Sequence, residues 1–328
     1  MSLLAALLLL AGPAVVTESR PAMGTLCTVT LAGVPPEPAA AGIAAACAAF
    51  DRVDQVMNEW RPESPLSALN ARAGRGWVDL PADLCQVLSL AKSGAERTGG
   101  RFDPTWAALS DLWRFDGTQA VAPPEAVLEA RCRLVGHRGL ELALLAGGGC
   151  RARLVLPGMR VGLGGIAKGW AVDQAARALR ALGFRDFLVQ AGGDLYVSGR
   201  RGEAPWQVSV RAPRGGVLDA LAALDVEDRA FSTSADSERF FEERGRRLHH
   251  VLDPRTCRPA EGVRSVSILA ATAVEAEILS KAVMVEGGQG GLGLATDAGA
   301  EALLIDAEGR LQATPGLVAR LRPAPPRP

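Results

Sequence analysis

The chain has 328 residues, 48% hydrophobic and 22% charged, and its 36 basic and 36 acidic side chains give a formal net charge of zero. That composition specifies a soluble globular protein with a sizeable core, built as one large domain or two small ones. A neutral chain without a basic stripe argues against a nucleic-acid partner, because phosphate backbones need clustered Lys and Arg.

The N-terminus carries two readings. Leu3 to Val16 is an apolar run like the middle of a signal peptide, and Ala11-Gly-Pro-Ala14 has the small residues of a cleavage site. The run lacks a positive n-region and is too short to span a bilayer as a helix. An apolar lead-in to the first strand explains residues 1–18 equally well, so the compartment stays open between periplasmic or other extracytoplasmic space and cytoplasm.

From there the pattern alternates between strands and helices. Pro21 to Leu31 reads as one strand, and Ala39 to Asn58, with Ile43, Cys47, Phe50 and Val53 at helical spacing, as a helix packed on a sheet. Asn58 to Asn70 contains two prolines and reads as a loop with a short helix from Ser64; Trp60 in it is a ligand platform or a hydrophobic plug. A second amphipathic helix, Leu84 to Thr98, ends at Gly99-Gly100 and leads into the turn Arg101-Phe-Asp-Pro-Thr105. Asp103 there orients a ligand or caps the segment near Trp106. Residues 116 to 150 read as a connector with one helix, Pro124 to Cys132.

Val161-Gly-Leu-Gly-Gly-Ile-Ala-Lys-Gly-Trp-Ala-Val-Asp173 follows the apolar run Leu154-Val155-Leu156 and opens onto a helix ending at Gly183. A glycine turn ahead of a helix lets backbone approach a ligand, and the helix start favours an anion. The spacing is neither GxGxxG nor a P-loop. Phe187 to Ala191 is a strand ending in Gly192-Gly-Asp194, and Trp206, Val208 and Val210 alternate in another. Ala230 to Arg239 is a hydroxyl-rich turn, and His249 to Pro259 a strand entering a proline turn. Thr272-Ala-Val-Glu275 is a capping box opening a helix to about Val285. A late hairpin crosses Ala307-Glu-Gly309, and residues 321–328 form a Pro-rich tail, disordered from Pro323. No repeat and no interdomain linker is visible. The six cysteines form no CxxC pair and lack zinc spacing, so they read as small buried thiols.

Taken in order, several segments resemble the ApbE family, the FAD:protein FMN transferases. They are Met23-Gly-Thr25, Phe102-Asp-Pro-Thr105, Leu163 to Gly169 with Asp173, Gly192-Gly-Asp194, Ser232-Thr-Ser234 and His250-Val-Leu-Asp-Pro-Arg-Thr256. The resemblance implies an α+β fold: a single domain over residues 19–320, with two linked subdomains and FAD in the cleft between them. It implies transfer of the FMN half of FAD to a Ser or Thr hydroxyl of an acceptor flavoprotein in a redox complex, near a membrane through that acceptor, with release of AMP. Matched positions give Met23, Trp60, Arg101, Phe102, Asp103, Lys168, Thr233, His250 and Val251 as FAD contacts, and His250 and Asp253 as catalytic candidates. Magnesium would lie between the Gly165 carbonyl and two side chains of the last long helix, an Asp and, four residues later, a Thr.

This sequence departs from that pattern. Glu277 and Lys281 stand at the two metal positions, Gly162 stands where an Asp often begins the central motif, and Cys257 where the proline turn usually has Gly. A protonated Lys281 cannot ligate a hard cation. It can stand where the metal would be and donate to the Gly165 carbonyl, or simply pair with Glu277 along the helix. With the metal position compromised, two alternatives stand beside the transferase: a non-catalytic FAD carrier, and an FAD pyrophosphatase giving FMN and AMP.

Overall fold

The structure is a computed structural model that describes residues 15–118, 121–146, 149–215 and 219–323. Its spine is an eight-stranded antiparallel sheet. The strands lie in the order Val15–Ala22, Thr25–Ala32, Phe187–Ala191, Asp194–Ser198, Arg229–Ala235, Val263–Ala270, Glu301–Asp306 and Leu311–Ala313. Consecutive strands in sequence are joined as hairpins at Met23-Gly24, Gly192-Gly193 and residues 307–310.

One face carries three helices, Pro36–Met57, Ala167–Ala181 (the central helix) and Ala273–Glu286 (the late helix). Val29, Leu31, Val189, Val266 and Ile268 pack there against Phe50, Val172, Leu179 and Val283, and form the main core. The other face packs on a three-stranded sheet, Trp206–Arg211, Ala220–Val226 and Leu321–Pro323, through Leu195, Val197, Phe231, Trp206 and Leu224. Because both faces are covered, Val263–Ala270 is buried almost throughout, its serines included.

Several expectations change. The segment read as one strand from Pro21 to Leu31 is two strands with a turn at Met23-Gly24; Met23 takes φ +51° and Gly24 φ +68°. A tight hairpin keeps the apolar alternation running, so periodicity alone does not reveal the turn. The hydroxyl-rich turn at Ala230 to Arg239 is mostly the strand Arg229–Ala235. The connector over 116–150 contains the expected helix, Glu125–Cys132, but also the strand Leu140–Leu144 beside Cys150–Leu154. The apolar run ends as a strand at Leu154, and twelve residues separate it from the start of the central helix at Ala167. Leu321, Arg322 and Pro323 pair with Leu224, Ala223 and Ala222, so the Pro-rich segment starts in a sheet and the disorder expected from Pro323 does not begin there. The proposed cleavage site and the rest of that tail lie outside the described residues.

The cysteine expectation is overturned. Cys85 is bonded to Cys150, and Cys132 to Cys257, across 65 and 125 residues of sequence with Cα–Cα distances of 5.8 Å. Among the described residues Cys27 and Cys47 are free. No local pattern could have shown these pairs, because each joins elements that meet only through the fold.

Candidate functional site

The cleft opens where the central helix, the late helix and the Asp194–Ser198 strand converge. One glycine position and two capping side chains explain the convergence. A Cβ at Gly169 would lie 2.4 Å from the Ala273 carbonyl oxygen, so only glycine lets the two helix starts come this close. Asp173 then caps the late helix, its carboxylate accepting the Ala273 and Val274 N–H groups at 2.9 and 3.1 Å. Thr272 supplies the expected N-cap, accepting from Glu275 N–H at 3.2 Å. Together these contacts fix where the next turn of the late helix places Glu277.

Glu277 is fully buried. One carboxylate oxygen accepts the Gly169 N–H at 2.7 Å and the other is paired with Lys168. The anion at the helix start is therefore a side chain of the protein. Lys168 also meets Asp194 at 3.0 Å, and Asp194 accepts the Ser232 hydroxyl at 2.5 Å. Lys281 lies 3.9 Å from Glu277 and donates to the Ser280 hydroxyl at 3.3 Å, while Ser280 and Ser234 are 2.8 Å apart. Two cations and two anions thus form the floor of the cleft.

Burial alone would push Lys168 toward the neutral amine, but Asp194 and Glu277 more than reverse this and hold it firmly protonated. Burial likewise opposes charge on Asp194, and Lys168, Lys281 and the Ser232 hydroxyl outweigh it, holding the carboxyl below the usual range. For Glu277, burial and the neighbouring Asp194 win over the lysines and push the carboxyl up.

The walls are loops. Trp60 is 68% exposed at the cleft mouth, in the turn that Ser64 ties down by donating to the Asn58 carbonyl at 2.7 Å. Beside it, Glu59 is pushed above the ordinary carboxylate range by burial. A Cβ at Gly162 would fall 2.8 Å from the Glu59 carboxylate, so this side chain fills the space that the family's Asp at 162 would need. On the opposite wall, Phe102 lies 3.1 Å from where a Gly165 Cβ would be. His250 completes the ring. Burial, Lys281 and His249 push its imidazole down to about 3, and its Nδ1 is buried without a hydrogen-bond partner. A base that weak is poorly matched to accepting a proton at neutral pH, and the imidazole stands uncharged in the cleft wall.

The turn after His250 is built covalently. Cys257 takes φ +61°, the left-handed geometry that the usual glycine would adopt without strain, and its disulfide to Cys132 anchors it there. Trp113 donates to the Cys257 carbonyl at 2.9 Å and stacks near Phe115 and Phe241. Asp253 closes the turn by pairing with Arg255 at 2.9 Å, and Arg255 reaches Glu286 at 3.5 Å, which also holds Arg101.

Most of the residues expected from sequence therefore meet. Trp60, Arg101, Phe102, Asp103, Gly165, Lys168, Thr233, His250, Val251 and Lys281 line a lobe of about 660 Å³. Met23 lines the adjoining lobe of about 1270 Å³ together with Trp60, Lys168, Thr233 and His250. Three expectations need correction. The Asp103 carboxylate is committed to Thr105 (2.8 Å to its N–H) and His137 (2.7 Å to its N–H), so it caps and latches rather than orienting a ligand. Asp253 lines neither lobe and organises its turn instead. Lys281 donates to Ser280, with no bond to the Gly165 carbonyl. Asp194 and Glu59 were not expected as site residues. The signal for Asp194 was its place directly after Gly192-Gly193, and Glu59 had none beyond its neighbour Trp60.

The residues at the expected magnesium position do not fit that ion. A hard divalent cation needs oxygen ligands. Both Glu277 oxygens already serve Gly169 and Lys168, and Lys281 brings a second cation in place of a third donor.

Comparison with known proteins supplies the family. The model of the ApbE family matches residues 23–304. An FAD:protein FMN transferase of Treponema pallidum is 34% identical, over 92% of this chain and 87% of that protein. One of Rhodobacter capsulatus is 33% identical over 98% of this chain, which spans 62% of that longer protein. The crystal structure of the ApbE protein from Thermotoga maritima superposes with a TM-score of 0.84 at 28% identity, covering 94% of this chain and all of that one. The chain belongs to the ApbE family.

Proposed function

We propose that this chain transfers the FMN moiety of FAD to a Ser or Thr hydroxyl of an acceptor flavoprotein, releasing AMP. The observation that carries this reading is the floor of paired charges, Lys168, Asp194, Glu277 and Lys281, at the bottom of a cleft walled by Trp60, Phe102 and His250. In the transfer the acceptor oxygen attacks the FMN phosphorus. The bond from that phosphorus to the bridging oxygen breaks, AMP leaves with that oxygen and its electron pair, and the hydroxyl proton is released. Lys168 holds the two carboxylates in place, and the cationic side of the floor faces the phosphates. Val251, Phe102 and Trp60 supply apolar surface for the rings, and neutral His250 offers a hydrogen bond without adding charge. Magnesium has no part in this transfer, because the donor set does not accommodate it.

Two intramolecular disulfides support an oxidising, extracytoplasmic compartment. No helix among the described residues is long and apolar enough to cross a membrane, so any membrane proximity would come through the acceptor and its redox complex. The test is incubation with FAD and a candidate acceptor, followed by a denaturing gel. Flavin fluorescence travelling with the acceptor is the expected result. Free FMN and AMP, or FAD recovered intact, would overturn the transferase reading in favour of a pyrophosphatase or a carrier.

A further inference from the structure

The four charges on the cleft floor are not equivalent. Lys168 is saturated: it pairs with Asp194 and Glu277 and donates to the Gly164 carbonyl at 3.4 Å. Glu277 is saturated as well, with one oxygen on Lys168 and the other on the Gly169 N–H. Lys281 is held more loosely. It lies 3.9 Å from Glu277 and gives one N–H to Ser280 at 3.3 Å, and an ammonium has three N–H groups. Its side chain is 19% exposed, on the lobe lined also by Gly164, Gly165 and His250. The Lys281 stem runs beside the glycine turn, with Cγ 3.8 Å from where a Gly165 Cβ would be. It therefore occupies the gap between that turn and the late helix.

Resting on the flavin-transfer reading, we propose that the Lys281 ammonium takes the place of the divalent cation, binding the FAD pyrophosphate directly, so that this chain binds and cleaves FAD without a metal. The remaining N–H groups of Lys281 donate to non-bridging phosphate oxygens. They offset the charge that builds as the bond between the FMN phosphorus and the bridging oxygen breaks and AMP departs. The same lysine balances the buried acidic pair when the cleft is free of ligand, since Lys168 alone would face two carboxylates. Its two roles require one fixed position, which the Ser234–Ser280 contact at 2.8 Å supports from behind.

The test is calorimetric titration of FAD into the full chain, in magnesium and in chelator. The expected result is the same affinity in both. Lys281→Met should weaken FAD binding by about tenfold or more in either buffer, because it removes one partner of a desolvated charge contact. Lys281→Arg, which keeps the charge, should recover most of the loss. A wild-type chain whose FAD affinity collapses in chelator overturns the proposal, and so does a folded Lys281→Met that binds FAD as tightly as wild type. If Lys281→Met does not fold, as a melting curve would show, the chelator comparison on the unaltered chain decides alone. Metal-independent FAD binding without labelling of any acceptor would sustain the Lys281 assignment while refuting transfer, so the two readings fail separately.

Discussion

The floor and the far wall of the cleft are held by different forces. The floor is made by regular elements already pressed together by the main core. Asp194 begins a central strand, Lys168 and Glu277 sit on crossing helices, and their carboxylate and ammonium groups need only meet. The far wall, from His250 to Pro259, contains only two-residue strands, Leu252–Asp253 and Arg258–Pro259. It has too little backbone pairing to hold its own shape. A disulfide, a left-handed Cys257 and the stacked rings of Trp113 and Phe241 do the work instead. Charge pairs suffice where secondary structure fixes the geometry, and a covalent link is used where it does not.

The contrast is most exposed to Lys168→Met. This change leaves Asp194 and Glu277 buried side by side with only the looser Lys281 as counter-charge. It should cost about 3–5 kcal/mol in urea unfolding and abolish FAD binding. A loss under about 1 kcal/mol would mean the floor is not organised by that lysine.

The wall should respond less. Cutting the Cys132–Cys257 bond, as in Cys132→Ser with Cys257→Ser, should lower stability by about 2–4 kcal/mol. Pairing Cys132→Ser with Cys257→Gly should recover about 1 kcal/mol of that, because glycine accepts φ +61° freely. Equal melting of the two double variants would contradict the strain argument. Alkylation of intact cells before lysis checks the bond itself: labelled Cys132 and Cys257 would place the chain in a reducing compartment.

At neutral pH the smallest effect belongs to His250, which faces Lys281, His249, Arg239 and, at 3.8 Å, Glu238. The unfolded chain takes up its proton near the ordinary value of 6.5, whereas the folded chain resists until about 3. The contribution of His250 is therefore whole above pH 6.5 and is lost as the pH falls toward 3. His250→Asn should melt in parallel with wild type above that range and lose less stability below it. Parallel curves throughout would show that His250 is not held neutral by its surroundings.

Much of the site was legible because its parts are local. A glycine turn before a helix, a capping box at Thr272, and a histidine ahead of Asp-Pro are short-range patterns with fixed backbone consequences. Cys257, where the turn usually has Gly, put that turn's geometry in question, and the structure shows it keeping the left-handed dihedral a glycine would adopt. The positions that sequence misjudged are those whose partners lie far along the chain. Asp103 resembles a ligand group until His137, 34 residues away, is seen to hold it.

By itself the sequence determined the family, the α+β class, the order of most helices and strands, and the residues that gather at the cleft. The element order follows from side-chain periodicity, which acts over a few residues; the family, the α+β class and the cleft residues follow from the resemblance that the short motifs carry. Only the tertiary structure decided that four of the six cysteines are bonded in pairs, that Met23 is a hairpin turn, and that Glu59 fills the space beside Gly162. It also decided that Lys281 faces the cleft with N–H groups to spare while both Glu277 oxygens already accept from Gly169 and Lys168. Such outcomes depend on which elements pack together, and distances across a folded core carry no signature along the chain.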